Sequence, residues 1–188
     1  MEHHVEQATK QPRGASATRK PGRLTLDDLA AMDARALRER YTHGTCPTDL
    51  RLIDGKPKGR MLTVRRAGFA PVAPLLRAFA ASASFPWDGK TFFGDSEHAG
   101  RGINRVRIAG AKFDAFDFAT RVGPSLVDGK STIVLDYAQP DNPPYIQKIH
   151  DEIRDVGERL FLGPAMWKRD GGGAAHVLWF ALDFGHGN

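Results

Sequence analysis

The sequence predicts an α+β fold that is mainly antiparallel β: a curled sheet or barrel, with N-terminal helices and one long helix before the last hairpin. Short β-rich runs separated by turn residues occupy residues 85–184, whereas residues 24–84 carry mainly helical patterns. Short connections favour antiparallel neighbours. Strands do not alternate with helices, which disfavours a parallel α/β fold. An open sheet packed on helices is the alternative architecture.

The first ordered segment is predicted to be helical. Thr25 is followed three residues later by Asp28, which is typical of a capped helix start over residues 25–41. Asp33 interrupts the apolar pattern and can cap a second helix, so one helix and two short helices in tandem both fit. A strand is predicted at residues 60–65, and apolar residues at helical spacing predict a short helix over 71–83.

The β region then begins near residue 85. Runs of β-branched and aromatic residues predict strands at 87–93, 103–108, 113–121, 125–127, 131–137, 165–168 and 175–184. Asp128-Gly129 lies between two of these runs. Because a type I′ turn needs positive φ at both central residues, this pair predicts a tight hairpin.

The predicted long helix covers residues 144–159. Apolar residues recur there at steps of three and four, namely Ile146, Ile149, Ile153, Val156 and Leu160. This spacing is typical of one apolar helix face. The intervening polar residues are then expected on a solvated face: Lys148, Asp151, Glu152, Asp155 and Arg159.

Charge and composition limit the classes of function. The net charge is +5, but residues 1–23 carry +3 of it and residues 24–188 only +2. The 1–23 segment is polar and rich in small residues, which predicts a disordered basic tail ahead of a single globular domain at 24–188. Nucleic-acid binding would therefore depend on the tail and is disfavoured.

Predictions about the cellular compartment and about cofactors depend on motifs that the sequence does not contain. No run approaches the roughly 20 apolar residues of a membrane span. The single Cys46 excludes an internal disulfide and fits a reducing compartment, so we expect a cytoplasmic protein. No metal-ligand spacing or phosphate-binding loop is present, and no metal or cofactor is predicted. The oligomeric state stays open.

Polar residues on the predicted strands are the candidates for catalysis. Asp136 and Tyr137 end one strand and could act as an acid–base pair, and His176 shares a predicted face with Leu178 and Phe180. Each also has a structural interpretation. Asp136 can pair with an arginine across the sheet, and His176 can be a satisfied structural histidine.

Polar residues of the predicted strand at 103–108 are candidates for ligand binding. Asn104 has apolar neighbours and could contact a ligand or satisfy a strand bulge. Arg105 and Arg107 share a face and could clamp an anion, or they could form a solvated strand face.

The β region resembles the calycin pattern of lipocalin-like proteins. Trp87-Asp88-Gly89-Lys90 followed by Phe92 opens the sheet, and Trp179-Phe180 lies on the last strand. In that family a Trp near a Gly starts the first strand and closes one end of a barrel, although the family order places the Gly first. The resemblance covers about a hundred residues and implies an internal cavity for a small apolar ligand.

Two functions of different classes are predicted. The first is binding of a small hydrophobic molecule in a barrel cavity of about 300–1,000 Å³. Its expected ligand contacts are Trp87, Asn104, Arg105, Phe116, Phe118 and Trp179. The alternative is a small cofactor-independent enzyme of the isomerase, cyclase or dehydratase kind, with Asp136, Tyr137 and His176 as its catalytic residues.

Overall fold

A computed structural model describes residues 22–64, 87–108 and 111–185, and its main element is a closed antiparallel barrel. Eight strands follow one another around it in sequence order, and β1 pairs with β8 to close it. The strands are Lys58–Val64 (β1), Trp87–Phe93 (β2), Ala99–Ile108 (β3), Ala111–Pro124 (β4), Ser131–Asp136 (β5), Ile149–Gly157 (β6), Leu160–Lys168 (β7) and Ala174–Asp183 (β8).

The barrel confirms the prediction of a curled antiparallel sheet, and its closure excludes the open-sheet alternative. It agrees with the lipocalin-like resemblance at the level of a closed antiparallel barrel. The predicted tail at 1–23 lies outside the described residues except for its last two, of which Arg23 bonds to Asp183 at 2.8 Å, and the predicted helix at 71–83 also lies outside them. None of the helices described is long and apolar enough to cross a membrane.

Two short helices precede the barrel, as the tandem alternative predicts. They are Leu26–Ala30 (α1) and Ala34–Thr42 (α2). Thr25 and Asp28 form a reciprocal capping box, and Asp33 accepts a hydrogen bond of 2.8 Å from the amide of Ala36. Both helices pack outside the barrel, where their buried side chains meet those of β7 and β8: Leu26, Leu29, Leu37, Tyr41, Leu160, Leu162, Trp179 and Ala181.

The predicted long helix at 144–159 is wrong. One 3-10 turn, Ile146–Lys148, leads directly into strand β6, which pairs with β5 and β7. Ile149 and Ile153 fit helical spacing, but they are also an even number of residues apart and so share one face of a strand. The ladders on both sides decide between these conformations, because tertiary pairing overrides local propensity.

The Asp128-Gly129 turn connects two antiparallel strands, β4 and β5, as predicted, but it is not a type I′ turn, and the predicted strand at 125–127 belongs to the connection. Residues 125–130 form the connection, and the Ser125 amide donates to the Lys130 carbonyl over 2.9 Å. Gly129 has φ +75°, whereas Asp128 is not among the residues with positive φ. The wider turn leaves the Asp128 carboxylate free to bind the buried Arg154.

A bulge in β8 changes which residues face the barrel interior. Leu178 pairs with Ala165 and His176 with Met166, so Val177 has no partner of its own. Val177, Leu178 and Phe180 all belong to the interior core, whereas the His176 ring lies 5.0 Å from the outward-facing Trp179 ring. The predicted shared face of His176, Leu178 and Phe180 is therefore wrong, because the extra residue resets the alternation.

Aromatic rings fill one part of the barrel interior. A series of ring contacts, with centroids 5.1–5.6 Å apart, runs through Phe161, Phe184, Phe92, Phe118 and Tyr137. Such pairs are tightly packed and apolar. The series ends at Tyr137, whose hydroxyl group meets a buried cluster of polar side chains.

Candidate functional site

A small, partly open cavity lies in the barrel interior beside this polar cluster. Its volume is about 50 Å³, and it is lined by ten apolar side chains and by Lys90, Asn104, Tyr137 and Asp151. One buried water needs roughly 10–15 Å³, so the cavity is larger than a water site. It is nevertheless smaller than the sequence-based expectation of about 300–1,000 Å³ for a ligand pocket.

Lys90 is the centre of the polar cluster. Its ammonium group donates to Asn104 Oδ1 over 2.8 Å, to Asp151 Oδ2 over 3.0 Å and to the Tyr137 hydroxyl. Only 4% of the side chain is exposed. An ammonium group has three N–H donors, so each of them has an oxygen partner. Four aromatic rings also surround Nζ at 5.2–5.5 Å.

A bulge in β2 places both Trp87 and Lys90 inside the barrel. Trp87 pairs with Val106 and Gly89 with Arg105, so Asp88 is an extra residue and the alternation shifts by one. Gly89 has φ +116°, and a Cβ there would lie 2.6 Å from the Pro57 carbonyl oxygen. Only glycine fits this bulge.

Asn104 connects the cluster to a second bulge. Its Oδ1 accepts from Lys90 and from Trp87 Nε1 at 3.2 Å, and its Nδ2 donates to the Phe116 carbonyl and the Tyr137 hydroxyl, both at 3.1 Å. Asn104 holds a strand bulge, which is one of its two predicted interpretations, and it also lines the cavity. Its contact with a ligand stays a prediction.

Phe116 is the extra residue of that second bulge. Ile103 pairs with Asp117 and Asn104 with Ala115, which leaves Phe116 without a partner. Its φ is +64°, a conformation that strains a residue with a bulky side chain. The Phe116 side chain lines the cavity, so backbone strain is stored in the cavity wall.

Phe116 variants can measure this strain. We expect Phe116→Gly to be more stable than Phe116→Ala by about 1 kcal/mol, because both lose the ring but only glycine tolerates positive φ. Urea unfolding of the two variants gives the difference. At Phe113, an exposed β4 residue without positive φ, the order should reverse. Equal stability of the two Phe116 variants would contradict the strain.

Asp151 has one satisfied and one unsatisfied carboxylate oxygen. Oδ2 accepts from Lys90 at 3.0 Å and from the Tyr137 hydroxyl at 3.1 Å. Oδ1 is buried and has no hydrogen-bond partner among the described residues, although Asp151 lines the cavity. A buried acceptor without a partner costs about 1–3 kcal/mol, and more when it is charged. This oxygen could therefore accept a hydrogen bond from a ligand donor.

The protonation of the cluster follows from its burial. Burial lowers the pKa of Lys90, and the Asp151 carboxylate partly offsets this effect. Burial and the Asp151 charge raise the pKa of Tyr137 well above its ordinary value. Tyr137 therefore stays protonated, and its hydroxyl donates a hydrogen bond to Asp151 Oδ2. Three oxygen acceptors around Lys90 Nζ favour the ammonium form, which balances the Asp151 charge.

The structure brings four of the nine sequence-predicted site residues to the cavity: Trp87, Asn104, Phe116 and Tyr137. Phe118 lies in the interior core, with its ring 5.2 Å from Lys90 Nζ. Trp179 lies outside the barrel beside Tyr41 of α2. Arg105 binds the main-chain carbonyls of Pro57 and Asp88 at 2.7 and 2.9 Å instead of entering the cavity.

The three residues predicted as catalytic are not brought together. Asp136 points away from the interior and pairs with Lys168 at 3.2 Å, while Tyr137 points inward. His176 lies on the outer face because of the β8 bulge. Only Tyr137 of the three reaches the polar cluster.

Lys90 and Asp151 are the site residues that sequence reasoning missed. A strand assignment for residues 149–157 places Asp151 between Ile149 and Ile153 on one face, which is the signal of a buried carboxylate. The helix assignment placed Asp151 on a solvated face instead. Lys90 lies in the predicted strand 87–93, but the bulge at Asp88 and Gly89 reverses its orientation.

A second buried carboxylate, Glu152, lies on the opposite face of β6, beneath α2. It accepts from the Tyr41 hydroxyl at 2.6 Å, the Leu126 amide at 2.7 Å and His150 Nε2 at 3.0 Å, and also from the Ser125 hydroxyl. Both oxygens are satisfied, in contrast to Asp151. This cluster joins helix, loop and strand, and its role is structural.

Glu152 should make stability depend on pH. Burial raises its pKa, but the hydrogen bonds from His150, Ser125 and Tyr41 outweigh burial and lower it below 4.5. A lowered folded-state pKa stabilises the fold above the unfolded-state value, and the effect is lost as pH falls through the folded-state pKa. We expect Glu152→Gln to cost about 1–3 kcal/mol at pH 7. That cost should shrink below about pH 4.5.

Urea unfolding of both proteins from pH 7 to pH 3.5 measures the difference. Glu39→Gln on the exposed side of α2 is the control and should show little effect at any pH. A Glu152→Gln cost that is constant over this range would contradict the lowered pKa.

The polar cluster can hold a ligand group by hydrogen bonding. Among the described residues, no group of three or more His, Cys, Asp or Glu is placed to hold a metal ion. Comparisons with protein-family models, with curated proteins and with solved structures find no match to this chain, so its functional assignment depends on the geometry of the cavity.

Proposed function

We propose that this protein binds a small, mostly apolar molecule inside its barrel, in the manner of a lipocalin-like carrier. The supporting observation is the composition of the cavity wall: ten apolar side chains and one buried polar cluster. Ligand sites typically combine an apolar wall with a few polar groups that fix orientation. The single Cys46 supports a reducing, cytoplasmic setting for this function.

The cavity size limits the ligand. A volume of about 50 Å³ favours a compact ligand over a long lipid. It is smaller than the roughly 150 Å³ of an apolar cavity that holds one benzene ring, so a single ring fits only if the wall moves. Met61 and Met166 belong to the wall, and their unbranched side chains adapt more readily than branched ones. We infer that these two side chains rearrange when a single-ring ligand enters.

Cofactor-independent catalysis in the same cavity is the second candidate. The lowered pKa of Lys90 and the raised pKa of Tyr137 are the observations that favour it, since perturbed groups cluster at active sites. The reacting residues would then be Lys90, Tyr137 and Asp151. Binding is the better-supported function, because all three N–H donors of Lys90 already have partners.

A cavity-filling variant tests the proposal. We expect toluene to raise the Tm of the wild-type protein but not that of Ala165→Phe, whose new ring occupies the cavity. Ala111→Phe, at an exposed β4 position, is the matched control and should keep the response. Native mass spectrometry of freshly purified protein should also show a bound small molecule that Ala165→Phe lacks. No toluene response and no bound molecule would contradict the proposal.

A further inference from the structure

We infer that the ligand is a neutral molecule whose hydroxyl or N–H group donates to Asp151 Oδ1, such as a phenol or an alcohol, and not a carboxylic acid. This inference rests on the proposed function. It follows from counting the hydrogen-bonding capacity that the cavity wall still has.

The polar wall has no donor left for a ligand. Lys90 uses all three N–H groups, and Asn104 uses both hydrogens of Nδ2. The Trp87 indole N–H donates to Asn104, and the Tyr137 hydroxyl donates to Asp151. A ligand carboxylate only accepts hydrogen bonds, so it needs hydrogen-bond donors from the protein. It would find none here unless the cluster broke.

The wall does have an acceptor. Asp151 belongs to the cavity wall, and its Oδ1 is buried and has no partner among the residues that the structure describes. A ligand donor placed there forms a charge-assisted hydrogen bond, which is about twice as strong as a neutral one. Water competes poorly, because a buried water needs about two to four polar partners and most of this wall is apolar.

The charges of the cavity wall also favour a neutral ligand. Lys90 and Asp151 balance each other at 3.0 Å, with 4% and 5% of their side chains exposed. An anionic ligand would add an unbalanced negative charge beside the Asp151 carboxylate. A cationic ligand would add a positive charge beside the Lys90 ammonium. Both cost free energy in a low-dielectric interior, whereas a neutral donor does not.

Three single-ring probes separate these classes. Titration calorimetry or NMR would compare toluene, phenol and benzoate on the full chain, on Ala165→Phe and on the double variant Lys90→Met/Asp151→Leu. In the double variant the ratio of phenol affinity to toluene affinity should fall about tenfold, the value of one hydrogen bond to a charged group. Benzoate should bind most weakly to the wild type, and Ala165→Phe should bind none of the probes.

A measurement on the wild-type protein tests the inference even if the double variant does not fold. Phenol, but not toluene, should shift the ¹³C resonance of the Asp151 carboxylate. An unchanged affinity ratio, an unshifted carboxylate resonance, or benzoate as the tightest probe would overturn the inference while leaving the proposed function intact. Failure of all three probes to bind the wild type would overturn both.

Discussion

Lys90→Met is expected to lower the free energy of unfolding by about 3–5 kcal/mol, because it leaves the buried Asp151 carboxylate without its counter-charge. Both partners are almost completely buried, and their charged atoms are 3.0 Å apart. Asp151 would keep only the Tyr137 hydroxyl as a donor. Urea unfolding at pH 7 measures the loss.

The double variant Lys90→Met/Asp151→Leu should recover most of this loss. Replacing a buried ion pair by apolar side chains of similar volume is often neutral or stabilising, whereas breaking the pair is costly. Lys168→Met is the surface control, because its partnership with Asp136 is partly exposed and should be worth about 1 kcal/mol or less. A Lys90→Met cost as small as that of Lys168→Met would show that the cluster is not the strong electrostatic unit described above.

Arg154→Met is expected to have a comparably large effect, a loss of about 3–5 kcal/mol, because it leaves several polar groups without their donor. The Arg154 side chain is 1% exposed and binds both carboxylate oxygens of Asp128 at 2.8 Å. It also donates to the carbonyls of Tyr41, Lys130 and Ser131. Loss of these contacts should loosen α2 and the 125–130 turn together.

Thermal or urea unfolding measures the Arg154→Met effect. The control is Arg107→Met, whose 3.2 Å ion pair with Asp88 is exposed and should contribute about 1 kcal/mol or less. Hydrogen exchange should also increase in α2 in Arg154→Met and remain unchanged in Arg107→Met. Equal losses in the two variants would contradict a structural role for the buried guanidinium.

Part of the fold could be predicted because its signals are local. The two N-terminal helices follow from side chains that cap amides within three residues, at Thr25 and Asp33. The turn position at Gly129 and most of the strands follow from composition and alternation. These features need no knowledge of distant partners.

The site could be predicted only in part. Trp87, Asn104, Phe116 and Tyr137 carried visible signals, since an aromatic or amide group among apolar neighbours suggests an interior position. The orientation of His176 toward the outside of the barrel, in contrast, depends on the bulge at Val177. The local sequence does not predict that bulge, because it results from the hydrogen-bonding register between β8 and β7.

The sequence by itself determined the mainly antiparallel β class, the capped helices and an interior rich in aromatic side chains, because these depend on neighbouring residues. Only the tertiary structure decided that residues 149–157 form a strand, and that Asp151 is buried against a lysine 61 positions earlier in the chain. A polar side chain enters a barrel interior only when distant partners satisfy it there. Closure of β1 on β8 brings those partners together, and it leaves one buried oxygen of Asp151, a residue of the cavity wall, without a hydrogen-bond partner among the described residues.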